Sequence, residues 1–196
     1  MIGKRDYVKI INNHRNKFLK KHKVSNVENQ REVVTGCEDS DYLFLIDYFL
    51  TYEPKCVVEY GSGYTTWLMH ELVNDYKLDT YIISHENEKQ YFEWILANLH
   101  VPRELINLTP IHPLPELNFD GFTVCRYNDK PETYPDVDLV ITDGPGPTPL
   151  GNFNVTNNYL EICEVQNRKI PHWIDGRKYT KKYYIELGYG EQILHH

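Results

Sequence analysis

From Asp41 onward the apolar positions fall into blocks with two alternating rhythms. Asp41 to Thr51 is apolar at helical spacing and stops before Glu53-Pro54, where proline blocks continuation. Lys55 to Tyr60 is a short apolar run closed by a glycine-rich turn, which predicts a buried strand. Thr65 to Tyr76 predicts a helix with Leu68, Leu72 and Val73 on one face. Thr80 to Ser84 predicts a second strand, and Asn87 to Leu99 a helix with Tyr91, Trp94, Ile95 and Leu99 on one side. Leu105 to Ile111 is a weaker strand. Phe122 to Tyr127 is a further strand or an inserted hairpin. Val137 to Thr142 is a strong strand broken by Asp143-Gly-Pro-Gly-Pro. Val155 to Gln166 predicts a helix, Ile170 to Ile174 a strand, Arg177 to Leu187 a helix, and Glu191 to His195 leaves room for one last strand.

Strands alternating with helices indicate βαβ units around a parallel sheet, with right-handed crossovers placing helices on both faces. The expected fold is α/β, a doubly wound, mostly parallel Rossmann-like sheet with a shortened C-terminal edge. The division is a basic N-terminal helical segment over 1–40 and the sheet domain over 41–196. Nine of the eleven prolines fall between Pro102 and Pro149, a stretch expected to hold insertions that shape a pocket.

Charge changes the picture at the N-terminus. Up to Lys23 there are eight Lys and Arg against the single acid Asp6, a balance of +7, which leaves −14 for the rest of a chain whose net charge is −7. Tyr7, Ile10, Ile11, His14 and Phe18 recur at roughly helical spacing, so the segment reads as an amphipathic basic helix. It is either an arm for an anionic substrate, nucleic acid or membrane surface, or a solvated helix lying across the acidic body; the second is the plainer reading. The acidic total makes general nucleic-acid binding a poor expectation. No apolar run approaches the roughly 20 residues of a bilayer span, and no secretory leader is visible. Cys37, Cys56, Cys125 and Cys163 lack metal-ligand spacing, so reduced thiols in a cytoplasmic protein are expected.

The chemistry concentrates at Glu59-Tyr-Gly-Ser-Gly-Tyr-Thr-Thr66. A strand ends in an acid, a Gly-Ser-Gly turn follows, and a helix begins at Thr65 or Thr66. The glycines allow close approach of a ligand to the main chain, and the hydroxyls can cap the helix. In doubly wound sheets ligands bind at strand carboxyl ends where the strand order reverses. Past the second strand, alternation leaves either Glu86 or His85 facing a ligand. The chemistry favours Glu86, whose carboxylate can accept from both hydroxyls of a ribose. A dinucleotide fingerprint needs a third glycine where Thr66 stands. Glu59 before the turn would repel a pyrophosphate and suit a cationic nucleoside, which argues for S-adenosylmethionine over NAD.

Four stretches, Glu59-Tyr-Gly-Ser-Gly-Tyr-Thr-Thr66, Ile83-Ser-His-Glu-Asn-Glu-Lys-Gln-Tyr91, Asp138-Leu-Val-Ile-Thr-Asp-Gly-Pro145 and His172-Trp-Ile-Asp-Gly-Arg-Lys-Tyr179, resemble successive signatures of the class I S-adenosylmethionine-dependent methyltransferases. The resemblance covers about Asp41 to Gly190. It implies that Glu59, Gly61, Ser62 and Gly63, with Tyr64 and Thr65 following, hold the cofactor, that Glu86 takes its ribose, and that Asp143 sits at the cofactor–substrate junction. Family members usually continue to a sixth and seventh strand and often carry two acids after the fifth; here Asp175 is followed by Gly176.

Asp143 and Asp175, at strand ends, are the candidate catalytic residues, with His172 read as a packed histidine. Two carboxylates offer fewer oxygens than a divalent cation takes, so no metal is expected. His112, Tyr127, Tyr134 and the three tryptophans either line an acceptor pocket or pack. The expected function is methyl transfer, by preference to oxygen, onto a small or polar acceptor. The rivals are a Rossmann enzyme using NAD or a nucleotide, and an inactive binding module. An unfinished sheet edge favours a homodimer.

Overall fold

The computed structural model describes residues 39–145 and 155–194. The basic stretch up to Lys23, and with it the predicted N-terminal helix, lies outside the described residues. The described elements run α1 (Asp39–Tyr52), β1 (Cys56–Tyr60), α2 (Tyr64–Tyr76), β2 (Tyr81–Glu86), α3 (Lys89–Asn98), β3 (Ile106–Leu108), β4 (Ile111–Phe119), β5 (Phe122–Tyr127), β6 (Leu139–Thr142), β7 (Val155–Thr156), α4 (Asn158–Val165), β8 (His172–Ile174) and α5 (Lys178–Glu186).

Five strands form a parallel sheet in the order β3-β2-β1-β6-β8. From β1 the chain winds outward through β2 and β3, then returns to β1's other side as β6 and β8. This is the doubly wound, Rossmann-like arrangement, and its order reverses between β1 and β6. All five residues of β1 are buried, as a central parallel strand covered on both faces requires. Alternation sorts its side chains. Val57, with Ile82, Leu139, Ile141 and Trp173, packs under α1, α2 and α3 against Leu45, Phe49, Trp67, Leu72 and Ile95. Val58 and Tyr60, with Ile83, Val140 and Ile174, face α4, α5 and the small sheet through Val124, Tyr127, Tyr159, Ile162 and Tyr184. Each large apolar side chain buried this way contributes roughly 1.5–3 kcal/mol.

α1 runs antiparallel to the strands, toward their amino ends. Tyr48 Oη donates to the Asp138 carbonyl just ahead of β6 at 3.4 Å, and Phe44 stacks on Trp173 in the middle of β8 at 5.7 Å. α2 ends at Lys77 in a left-handed conformation, with the Leu78 amide donating to the Val73 carbonyl, a local stop that returns the chain to β2.

Several boundaries differ from the sequence reading. β4 and β5 form an antiparallel hairpin whose two-residue turn, Asp120-Gly121, has positive φ at both positions. β4 carries Pro113 and Pro115, which made it read as loop; it survives because it is an edge strand, where a missing N–H is tolerated. Val155 and Thr156, predicted as the start of a helix, instead pair in parallel with Val124 and Cys125; β-branched residues beside an open partner strand favour that pairing. The predicted weak strand from Leu105 to Ile111 divides, with Ile106–Leu108 in the main sheet and Ile111 opening β4. The predicted strand from Glu191 to His195 is a 3₁₀ turn at Gly190–Gln192 and one bridge, Ile193 to His172, so the β8 edge is shortened but partly covered. No described helix is long and apolar enough to cross a membrane.

Candidate functional site

At the carboxyl ends of β1 and β6 two turns meet. The Asp143 and Gly144 amides both donate to the Tyr60 carbonyl, at 2.9 and 2.7 Å. Gly61 adopts φ +98°, and a Cβ there would lie 2.7 Å from the Asp143 carbonyl carbon and 2.8 Å from Gly144 Cα. A Cβ on Gly144 would in turn strike the Tyr127 hydroxyl and come within 2.7 Å of Gly61 Cα. Both glycines are required by main chain passing main chain. The Gly61 face expected to lie open to a ligand is thus covered by the 143–144 turn; Gly61 itself is half-buried, and Ser62 and Gly63 beyond it are buried.

Glu59 sits beneath this turn, fully buried. Its carboxylate accepts from the Thr65 hydroxyl, and from the Thr66 and Ser84 hydroxyls at 2.5 Å each. Thr66 Oγ1 also accepts the Gly63 amide at 2.9 Å, and Ser62 Oγ lies 2.7 Å from Ser84 Oγ. The acid therefore fastens the first turn of α2 and the end of β2 to the loop, and its oxygens are engaged by these hydroxyls. Thr66, in the position a third glycine would occupy, makes this cage. Burial pushes the Glu59 carboxyl up to about 7, with the Ser84, Thr65 and Thr66 hydroxyls pulling the other way.

Because the folded value lies above the 4.5 of the free side chain, proton binding at Glu59 stabilises the fold fully below about pH 4.5. That stabilisation is lost as pH rises through about 7. Glu59→Gln has no such proton. Wild type should gain roughly 3 kcal/mol over the variant as pH falls from 7.5 to 4.5, at about 1.4 kcal/mol per pH unit. Urea unfolding of both proteins across that range measures the gap, and a pH-independent gap would contradict the assignment. His85 and His172, both pushed down by burial, to about 4 and about 3, act with the opposite sign and cancel in the comparison.

Glu86 ends β2 on the same side as Ile82 and Ser84, as alternation predicts. It is 4% exposed and accepts the Glu88 amide at 2.7 Å, an Asx-like turn that aims the carboxylate back toward the loop. Burial raises it to about 7, opposed by the amides of Glu88, Asn87 and Ser62. Ser62 and Glu86 are thus brought together at the turn. Asp143 lies across the strand-order reversal, its carbonyl accepting from Arg177 Nε at 2.9 Å and from Nη2, with Nη2 3.4 Å from the carboxylate. The Asp175 amide donates to the Thr142 carbonyl at 3.0 Å, which puts the two candidate catalytic acids at neighbouring strand ends. Tyr64 packs on Trp67 at 4.8 Å, away from the turn's polar cage.

His172 is packed as expected, fully buried with Nε2 2.8 Å from Thr142 Oγ1 and its ring 4.1 Å from that of Tyr159. Trp67 and Trp173 are core, and His112 is exposed on β4.

A second polar cluster, absent from the expectations drawn from sequence, lies on the opposite face of β1. Asp129, 8% exposed, accepts from Tyr60 Oη at 2.5 Å, Tyr134 Oη at 2.7 Å and Asn158 Nδ2 at 2.7 Å. His85 bridges Tyr134 Oη and Thr109 Oγ1, each at 2.8 Å. Since the Tyr134 proton goes to Asp129, the hydroxyl must accept from His85, which fixes the neutral Nε2–H tautomer. The available signals were the count of 16 tyrosines and the alternation that sets Tyr60 and His85 on one face.

The described residues hold no group of three or more His, Cys, Asp or Glu able to bind a metal. Comparison with family models, curated proteins and solved structures returned no match.

Proposed function

We propose that the chain is an S-adenosylmethionine-dependent methyltransferase acting on a small or polar acceptor. The observation that carries this reading is the meeting of the Gly61–Gly63 turn, the Glu86 carboxylate and the Asp143 turn at the point where the strand order reverses. Ligands of doubly wound sheets sit at that point. Glu86 would hold the ribose hydroxyls, the Ser62 and Gly63 backbone would flank the nucleoside, and Glu59 would brace the turn and, in its ionised form above about pH 7, lend it negative potential. Such potential favours a sulfonium over a pyrophosphate. Methyl transfer to oxygen is an in-line displacement, for which alignment alone can supply about 7–11 kcal/mol. Asp143 and Asp175 flank the side from which an acceptor would enter.

The test is calorimetric titration with S-adenosylhomocysteine, with NAD as control. Binding of the former alone is expected, weakened on the order of 100-fold in Glu86→Ala if two charge-assisted bonds of about 1.5 kcal/mol each are lost. Binding of NAD alone would support the nucleotide-enzyme rival. Silence with both would support an inactive module, a reading favoured by the Arg177 contacts that engage Asp143. A cytoplasmic setting is proposed with this function, in keeping with free, buried thiols at Cys56, Cys125 and Cys163. A homodimer would have to use what Ile193 leaves uncovered of the β8 edge.

A further inference from the structure

We propose that the methyl acceptor is an anion, a small molecule whose carboxylate or phosphate head is taken up beside the carboxyl end of β8 by Arg177 and Lys178. The inference rests on the methyl-transfer reading and names the substrate class of the same site. Gly176, Arg177, Lys178 and Tyr179 line a cavity of about 160 Å³. At ~30 Å³ per water that is room for about five waters, enough for a charged head group and too small for a whole drug-sized ligand, which needs roughly 300 Å³ or more. Arg177 is held in place from one side, its Nε and Nη2 spent on Asp143. The Asp143 charge is thereby compensated where an anion would approach. Lys178 is fixed over the Tyr179 ring, 4.8 Å from its centroid, and that ring packs on Phe122 at 4.4 Å, so the ammonium is presented on a braced platform. Over 175–182 the sequence sets Arg177, Lys178, Lys181 and Lys182 against the single acid Asp175, in a chain of net charge −7.

A second observation points the same way. α1 runs toward the amino ends of the strands and packs across β8 through Phe44 and Trp173. Its first residue, Asp39, therefore lies at the site's end of the sheet, on the β8 side. The chain enters the described domain there, and the sequence leading to it carries the +7 stretch up to Lys23. The described part of an otherwise acidic chain is thus preceded in sequence by a strongly basic stretch, and such charge attracts anionic solutes in a salt-dependent way. An anionic oxygen is also a ready nucleophile. If the head group is itself the acceptor, its oxygen lone pair forms the bond to the methyl carbon and the carbon–sulfur pair returns to sulfur. Two opposite charges are then neutralised with no proton to remove.

The test uses the full chain and two probes, inorganic phosphate and benzoate, with benzyl alcohol as uncharged control, read by ligand-observed NMR at constant ionic strength. At least one anion is expected to bind, tenfold or more tighter than benzyl alcohol, and to lose at least tenfold in Lys178→Glu, an exposed position whose change leaves the core intact. The preferred probe identifies the head group. Equal binding by wild type and Lys178→Glu, or no preference for anions, overturns the proposal. S-adenosylhomocysteine titrated into the same samples separates the two failures: anion binding lost with nucleoside binding kept sinks only this inference, whereas absent nucleoside binding sinks the methyl-transfer reading.

Discussion

Gly61→Ala is expected to lose about 3–5 kcal/mol of folding stability. The backbone at φ +98° lies outside the region an L side chain adopts readily, which costs roughly 1–3 kcal/mol. The added methyl would also meet main-chain atoms of Asp143 and Gly144 closer than 3 Å, and backbone cannot swing aside as a flexible side chain can. Overpacking of this kind costs roughly a further 1–3 kcal/mol. Gly121→Ala supplies the control. It too has a positive φ, +80°, but nothing lies within 4 Å of its Cβ position, so it should lose only the conformational part. Urea unfolding of the two variants beside wild type decides: equal losses would mean that the contact between the 61 and 144 turns is not as tight as described.

Asp129→Ala should cost about 4 kcal/mol or more. The carboxylate serves three donors from three places: Tyr60 in β1, Tyr134 after the 3₁₀ turn at Pro131–Thr133, and Asn158 at the start of α4. Truncation leaves these donors buried without partners, at roughly 1–3 kcal/mol each where water cannot enter. It also removes one of the two bonds that hold the Tyr134 hydroxyl, so the link between the main sheet and the segment beyond β5 rests on His85 and weakens. Asp129→Asn keeps the shape but turns an N–H₂ toward either Asn158 or the two tyrosine hydroxyls, and should fall between alanine and wild type. Adding Tyr60→Phe to Asp129→Ala should recover part of the loss, because the hydroxyl that donated to Asp129 from β1 is removed. Thermal unfolding of the four proteins tests this ordering, and additive losses in the double variant would contradict a shared network.

The parallel sheet was legible because β1, β2 and β6 each open on a short apolar run, Cys56–Val58, Tyr81–Ile83 and Leu139–Ile141, bounded by turn residues. The glycine turn was legible because a strand, two glycines and a helix start stand in immediate succession. What could not be read was which atoms the glycines admit. Gly61 gives way to the backbone of Gly144, 83 positions later, and no local pattern encodes such a distant approach. Glu59 posed a related difficulty: an acid before a glycine turn looks the same in sequence whether it faces a ligand or, as here, the hydroxyls of Thr65, Thr66 and Ser84. The hairpin was half legible. Asp120-Gly121 is a strong turn signal, but Pro113 and Pro115 masked the strand before it, since tolerance of proline depends on whether a neighbour pairs on that side. Arg177 was passed over because its partner Asp143 sits on another strand.

Trp67 and Trp173 both lie without solvent exposure in the layer beneath α1, α2 and α3, on the same side of the sheet as Glu59. Their indole emission will therefore be blue-shifted in the native protein and will move to the red when that layer opens. Asp129 lies on the far side. A variant that loosens only the far side should change the far-ultraviolet dichroism before it changes the fluorescence, so the two signals taken together tell detachment of the small sheet from collapse of the whole.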